Sequence, residues 1–155
     1  MGLEIERKFL VVGRAWRKGR GVRLKQGYLS SVPDRTVRVR LEGRKGWLTV
    51  KGLNRGAVRS EFEYGIPASD ARELLGRCEP PLVEKTRRRI RFAGRTWDVD
   101  EFHGVNAGLV VAEVELPRAD ARIVLPPWAG REVTGDPRYY NANLAKKPWS
   151  RWGQK

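Results

Sequence analysis

Cysteine is almost missing from this chain. Cys78 is the only one among 155 residues, which excludes an internal disulfide and a metal site built on thiolates. Histidine is as scarce, and the single His103 falls in a glycine-containing turn where a surface role is the ordinary one. Long apolar runs are absent too: none approaches the roughly 20 residues of a membrane helix. The start is charged where a signal peptide is apolar. Glu6 stands where a myristoylation signal needs Ser or Thr. No linker or low-complexity stretch divides the chain, so one domain over 1–155 in the cytoplasm, with no membrane partner, is expected.

Acidic residues are the remaining shortage. The chain has 18 Asp and Glu against 32 Lys and Arg, a formal net charge of +14. Such a surplus suits polyanions such as nucleic acid, polyphosphate or anionic membrane. An arginine-heavy genome would produce it equally, since 23 of the 32 basic residues are arginine. The position of each charge along its strand is more informative.

What the chain has in quantity is period-two alternation. In LEIERKFLVV, Glu4, Glu6 and Lys8 oppose Leu3, Ile5, Phe9 and Val11. TVRVRLE sets Thr36, Arg38, Arg40 and Glu42 against Val37, Val39 and Leu41. WLTVKG, VRSEFEYGI, VEKTRRRIRF, TWDVDEF and LVVAEVEL repeat the pattern, and RLKQGYLS is an eighth extended segment. The turns EGRKG, AGR and HGVNAG are short, which favours an antiparallel meander over crossover helices. Three helical segments are expected. They are PASDARELLGRC with Ser69 or Asp70 as N-cap, a weaker ADARIVL, and GDPRYYNANLAKK opened by Asp136 and Pro137. KPWSRWGQK reads as a loose tail, and Trp47, Trp97 and Trp128 as packing residues.

The charged faces form two sets. Glu4, Glu6, Glu61, Glu63, Asp98, Asp100, Glu113 and Glu115 are acidic; Lys8, Arg38, Arg40, Lys51, Arg59, Lys85, Arg87, Arg89 and Arg91 are basic. A flat sheet would turn these charges to water, and a conventional barrel would hide its apolar face inside. A barrel with the charges inside would be a hydrated channel, the less ordinary arrangement because burying ions is costly. Carboxylates two residues apart suit a hard divalent cation. Neighbouring Arg and Lys suit phosphate oxygens. Pattern alone leaves sheet, barrel and channel open.

In sequence the chain resembles the CYTH domain family, the triphosphate tunnel metalloenzymes. EIERKFLV fits the family's ExExK signature, and QGYL, TVRVR, TVKG, EFEYGI, KTRRR, TWDVDEFHG, GLVVAEVEL and GREVTGDPRYYNANLA follow in order. The resemblance implies an α+β, mainly antiparallel β fold: an eight-stranded antiparallel β-barrel forming an open charged tunnel, with helices packed outside. It implies hydrolysis of a triphosphate with Mg2+ or Mn2+, and the short form looks most like bacterial inorganic triphosphatases. Lys8, Arg38, Arg40, Lys51, Lys85 and Arg87 would then bind phosphate, with Arg59 and Arg89 as second candidates and Arg88 on the outer surface. Glu4, Glu6, Glu113 and Glu115 would hold metal, with Glu61 and Glu63 next. Glu4 or Glu63 would activate water, and Lys85 would protonate the departing phosphate.

Asp98 and Asp100 would orient a lumen arginine, and Tyr28 would either gate substrate or pack. Nucleoside or thiamine triphosphate hydrolysis and ATP cyclisation are alternatives on the same scaffold. A non-catalytic nucleic-acid-binding module is a more remote one, opposed by acid and base sharing the same faces. The expected partner is a small-molecule triphosphate; specific nucleic-acid binding is not expected, and a homodimer is left open.

Overall fold

A computed structural model describes residues 2–152. The chain runs β1 (Gly2–Val11), β2 (Val22–Ser30), β3 (Thr36–Glu42), β4 (Lys45–Lys51), β5 (Val58–Ile66), α1 (Ala68–Leu75), β6 (Glu79–Phe92), β7 (Arg95–Phe102), β8 (Val110–Glu115), β9 (Ala129–Glu132) and α2 (Asn141–Lys146). All eight extended segments of the sequence are strands. They pair in the order β5-β4-β3-β2-β6-β7-β8-β1, and β1 pairs again with β5, so the sheet closes into an antiparallel barrel. The short β9 was not foreseen. It joins β1 at Phe9 and Val11, beyond the stretch from Gly2 to Ile5 that pairs with β5.

Two hairpins show how local chemistry sets the register. Glu42 pairs with Lys45 across a two-residue turn whose Gly43 has φ +58°. Phe92 pairs with Arg95 across Ala93 and Gly94, both at positive φ, as a type I′ turn requires. Opposed residues of antiparallel strands share a face. The pairs Arg38↔Thr49, Thr49↔Glu63, Lys51↔Glu61, Lys8↔Glu113 and Arg87↔Asp100 therefore put the charged sets on one common side. That side is the lumen.

The outer face carries the apolar residues. α1 lays Ala71 and Leu75 on Val39, with Leu41, Leu48 and Ile66 around them. Pro67 occupies the N-cap position with no side-chain hydrogen bond, so Ser69 and Asp70 lie inside the first turn instead of capping it. Over β1, β7 and β8 the cover is loop, not helix. Trp16 and Trp128 pack with Phe9, Trp97, Val99, Ala112 and Val114, and the Trp97 and Trp128 rings meet edge-on at 5.6 Å. ADARIVL is not helical. Ala121 and Ile123 both face this cluster, a two-residue spacing that only extended backbone provides.

α2 sits at one end of the lumen. Leu10, Val83, Phe102 and Val111 continue the lumen side of their strands and cluster with Leu144 and Ala145 of α2. The tail packs into the same cluster. Asn106 Oδ1 accepts a hydrogen bond from the Trp149 backbone, and the Trp152 ring meets Tyr139 at 5.1 Å. Through Trp152 the tail is thus ordered; Gly153–Lys155 lie outside the described residues. Among the described residues no helix is long and apolar enough to cross a membrane.

Candidate active site

The remainder of the lumen is a cavity of about 830 Å³. Glu4, Glu6, Glu61, Glu63, Glu113 and Glu115 all line it, as do Lys8, Arg38, Arg40, Lys51 and Arg87. Lys85 does not. It is fully buried behind the lining, 2.8 Å from Asp100. Asp100 also accepts two hydrogen bonds from Arg87, from Nε at 2.7 Å and Nη2 at 2.9 Å. Burial opposes charge on Asp100, but Arg87 and Lys85 hold its pKa well below the usual carboxylate range. Burial lowers Lys85 to about 8 against the pull of Asp100. The expectation that Asp98 and Asp100 orient a lumen arginine is met by Arg87, which also lies 3.4 Å from Asp98.

The second-tier arginines are occupied. Arg89 pairs with Glu42 at 2.9 Å, and Arg59 Nε donates to the Gly52 carbonyl. Arg88 points outward to Glu101, and His103 meets Thr86. Tyr28 is 6 % exposed and lines the cavity, so its ring is both packed and facing the lumen.

Arg38 and Arg40 are different. Both are buried and line the cavity. Their nearest carboxylates stand far off, with Arg38–Glu63 at 3.9 Å, Arg40–Glu63 at 3.7 Å and Arg40–Glu42 at 3.6 Å. Neither Nε has a hydrogen-bond acceptor. Burial, then the neighbouring Arg38 and Arg87, lower Arg40 to about 10. Two buried cations side by side with unfilled donors form a receptor for an anion.

The acidic wall is crowded in the same way. Burial, then Glu113 and Glu4, raise the pKa of Glu6 well above the usual range, and Glu6 hydrogen-bonds Glu113. Burial works against the Glu113 charge too, but Lys8 and the Glu6 hydrogen bond bring it to about 2. Burial and the neighbouring carboxyl groups thus disfavour charge on Glu6, and a divalent cation among these oxygens would relieve that repulsion. Among the described residues no three acidic, His or Cys side chains converge as a ready-made metal centre. The donors are nevertheless all oxygen, which fits a hard cation.

The CYTH domain matches residues 2–146. The chain belongs to the CYTH domain family. It is 52 % identical over 151 residues to an inorganic triphosphatase of Acetivibrio thermocellus, covering 96 % of this chain and 97 % of that protein. An inorganic triphosphatase of Nitrosomonas europaea is 38 % identical over 146 residues, 92 % of this chain and 96 % of the relative. A crystal structure of an inorganic triphosphatase superposes with a TM-score of 0.65 at 36 % identity, covering 91 % and 96 % of the two chains. Membership of the CYTH family implies dependence on a divalent metal.

Some residues around the CYTH lumen escaped the sequence reading. Tyr140 and Asn141 line the cavity. The Tyr140 ring lies 5.6 Å from Lys8 Nζ and 6.0 Å from Arg59 Cζ. Tyr139 O accepts from Lys8 Nζ at 3.2 Å. Gln26 is fully buried, and neither end of its amide has a hydrogen-bond partner. None of these follows the charge alternation that marked the others.

Proposed function

We propose that this CYTH protein hydrolyses inorganic tripolyphosphate to pyrophosphate and phosphate, with Mg2+ or Mn2+. The observation that carries the proposal is the pair Arg38 and Arg40, buried in the lumen with both Nε donors unfilled. A phosphate chain supplies acceptor oxygens and negative charge in one group. The two relatives named as inorganic triphosphatases support that substrate.

In this mechanism Arg38, Arg40, Lys8, Lys51 and Arg87 clamp the phosphate chain and disperse charge in the transition state. Glu4, Glu6, Glu61, Glu63, Glu113 and Glu115 are the residues that would hold the metal, and all six line the cavity. A bound cation supplies charge neutralisation at phosphate oxygens and a more acidic water. Glu63 lies 3.1 Å from Thr49 Oγ1, which donates to it, and this fixes the carboxylate as a base able to orient water. Glu4 is engaged by Lys51 at 2.9 Å, so it is less free for that part. Lys85 has no direct line to the cavity, and its ammonium supports Asp100 and Arg87 from behind.

The test is a substrate panel of tripolyphosphate, ATP and thiamine triphosphate with Mg2+ or Mn2+, with and without chelator. Phosphate release from tripolyphosphate should lead and should stop with chelator. Replacement of both Glu4 and Glu6 by Gln should abolish it while circular dichroism is unchanged. Cyclic AMP as the main product, or indifference to tripolyphosphate, would sink the assignment.

A further inference from the structure

The innermost wall of the cavity comes from the C-terminal segment that carries Tyr139, Tyr140 and Asn141. Asn141 is the first residue of α2, yet it does not cap the helix, because Tyr140 occupies the N-cap without a side-chain bond. Its side chain lies between the cavity and the buried Lys85, and Oδ1 accepts from Lys85 Nζ at 3.4 Å. An ammonium group has only donors, so the oxygen and not the nitrogen of the amide must face Lys85. That choice turns Nδ2 the other way. Among the described residues Nδ2 has no acceptor, and Asn141 is part of the cavity lining whereas Lys85 is not.

We propose that Asn141 is a substrate-contacting residue whose Nδ2–H donates to an oxygen of the innermost phosphate, with Lys85 as the positioning residue that fixes the amide in that orientation. The inference rests on the triphosphate reading of the site. It also gives the buried Lys85 a part in binding without exposing it. A neutral oxygen orients the ammonium without neutralising it, and the ammonium polarises the amide so that its N–H is a stronger donor. A carboxylate at position 141 would do the reverse. It would pair with Lys85 well and present the phosphate with acceptor oxygens only.

That opposition makes the test. Asn141→Asp and Asn141→Ala are compared with the wild-type chain, each as full-length protein, for thermal midpoint and for kcat and KM on magnesium tripolyphosphate. Asn141→Ala should lose about tenfold in kcat/KM, and Asn141→Asp at least about a hundredfold, with the thermal midpoint of the Asp variant at or above that of Ala. A residue that only anchors α2 to Lys85 gives the other order, with Asp stable and close to wild type in turnover. That order overturns the inference. Should Asn141→Asp fail to fold, Asn141→Ala decides: kcat/KM within threefold of wild type overturns the inference as well. Failure of the wild-type chain to bind or hydrolyse tripolyphosphate defeats the triphosphate reading and the contact with it. A reversed order of variants in an active enzyme defeats the contact alone.

Discussion

Asp100→Asn tests whether the lumen wall is held by its buried charges. Asp100 is 1 % exposed and receives hydrogen bonds from Arg87 at 2.7 and 2.9 Å, with Lys85 at 2.8 Å. Asn keeps the shape but removes the charge and offers one acceptor oxygen where the carboxylate offered two. Lys85 is fully buried and Arg87 nearly so, so two cations would be left against a neutral amide. Breaking a buried pair by removing one partner costs about 3–5 kcal/mol. For a domain of this size that is a fall in midpoint of about 6–20 °C.

Differential scanning calorimetry at pH 7 measures it, with the pH dependence as a second check. Asp100 has its pKa depressed below the ordinary 3.8. Its stabilising contribution is therefore full above that value and is lost as pH falls from there through the folded-state pKa. The gap between variant and wild type should close in acid over that range. A second substitution, Lys85→Met added to Asp100→Asn, should recover at least about 1 kcal/mol by removing the stranded ammonium. A single variant within about 1 kcal/mol of wild type at pH 7 would refute the reasoning, because no buried charge could then have been stranded.

Three further outcomes follow from the same packing. Gln26→Met replaces an amide with two unfilled groups by an apolar side chain of similar length. Urea unfolding should show a gain of about 1–3 kcal/mol, and a loss would mean that the amide is satisfied after all. Lys85 is lowered to about 8 from 10.5, so between those pH values the unfolded chain binds the extra proton. Stability relative to Lys85→Met should rise by roughly 2–3 kcal/mol from pH 8 to 10.5 in isothermal denaturation, and a fall would reverse the assigned sign. Gly27→Ala would place a Cβ 2.6 Å from Leu82 Cδ2 and 2.7 Å from Cys78 Cβ. It should destabilise by about 1–3 kcal/mol by calorimetry; an unchanged midpoint would show that Cys78 and Leu82 yield freely.

The barrel was legible because strand alternation has a period of two and needs no tertiary knowledge. Glu4, Glu6 and Lys8 point to one side whatever surrounds them, and the ordered CYTH motifs decided that this side is the interior. The residues missed are those whose position depends on where loops return. Asn141 lies in a segment expected as one helix from Asp136 and Pro137; Asp136 instead caps a 3-10 turn over Pro137–Tyr139 and α2 starts only at Asn141, and nothing local says that this segment closes the lumen. Trp16 and Trp128 cover the outer wall from irregular loops, so the expected helical cover there is absent. Lys85 keeps lumen parity with Arg87 and Arg89, but parity cannot tell a lining residue from one buried behind Asp100. Depth depends on the width of the barrel and on what fills its end.

The lumen contains its own counterions. Lys51 is bonded to Glu4 at 2.9 Å and lies 3.5 Å from Glu61, so acid and base neutralise each other across β1, β4 and β5. A phosphate chain entering alone would draw Lys51 away and leave two carboxylates facing one another. A cation entering alone would take the carboxylates and leave the lysine unmatched. When both arrive, each side of the broken bridge finds a new partner. On the proposed reading of the site, metal and anion would be thermodynamically linked through Lys51, each raising the affinity for the other by the same factor. The barrel holds a small salt bridge in the place where the proposed metal–phosphate pair would form a larger one.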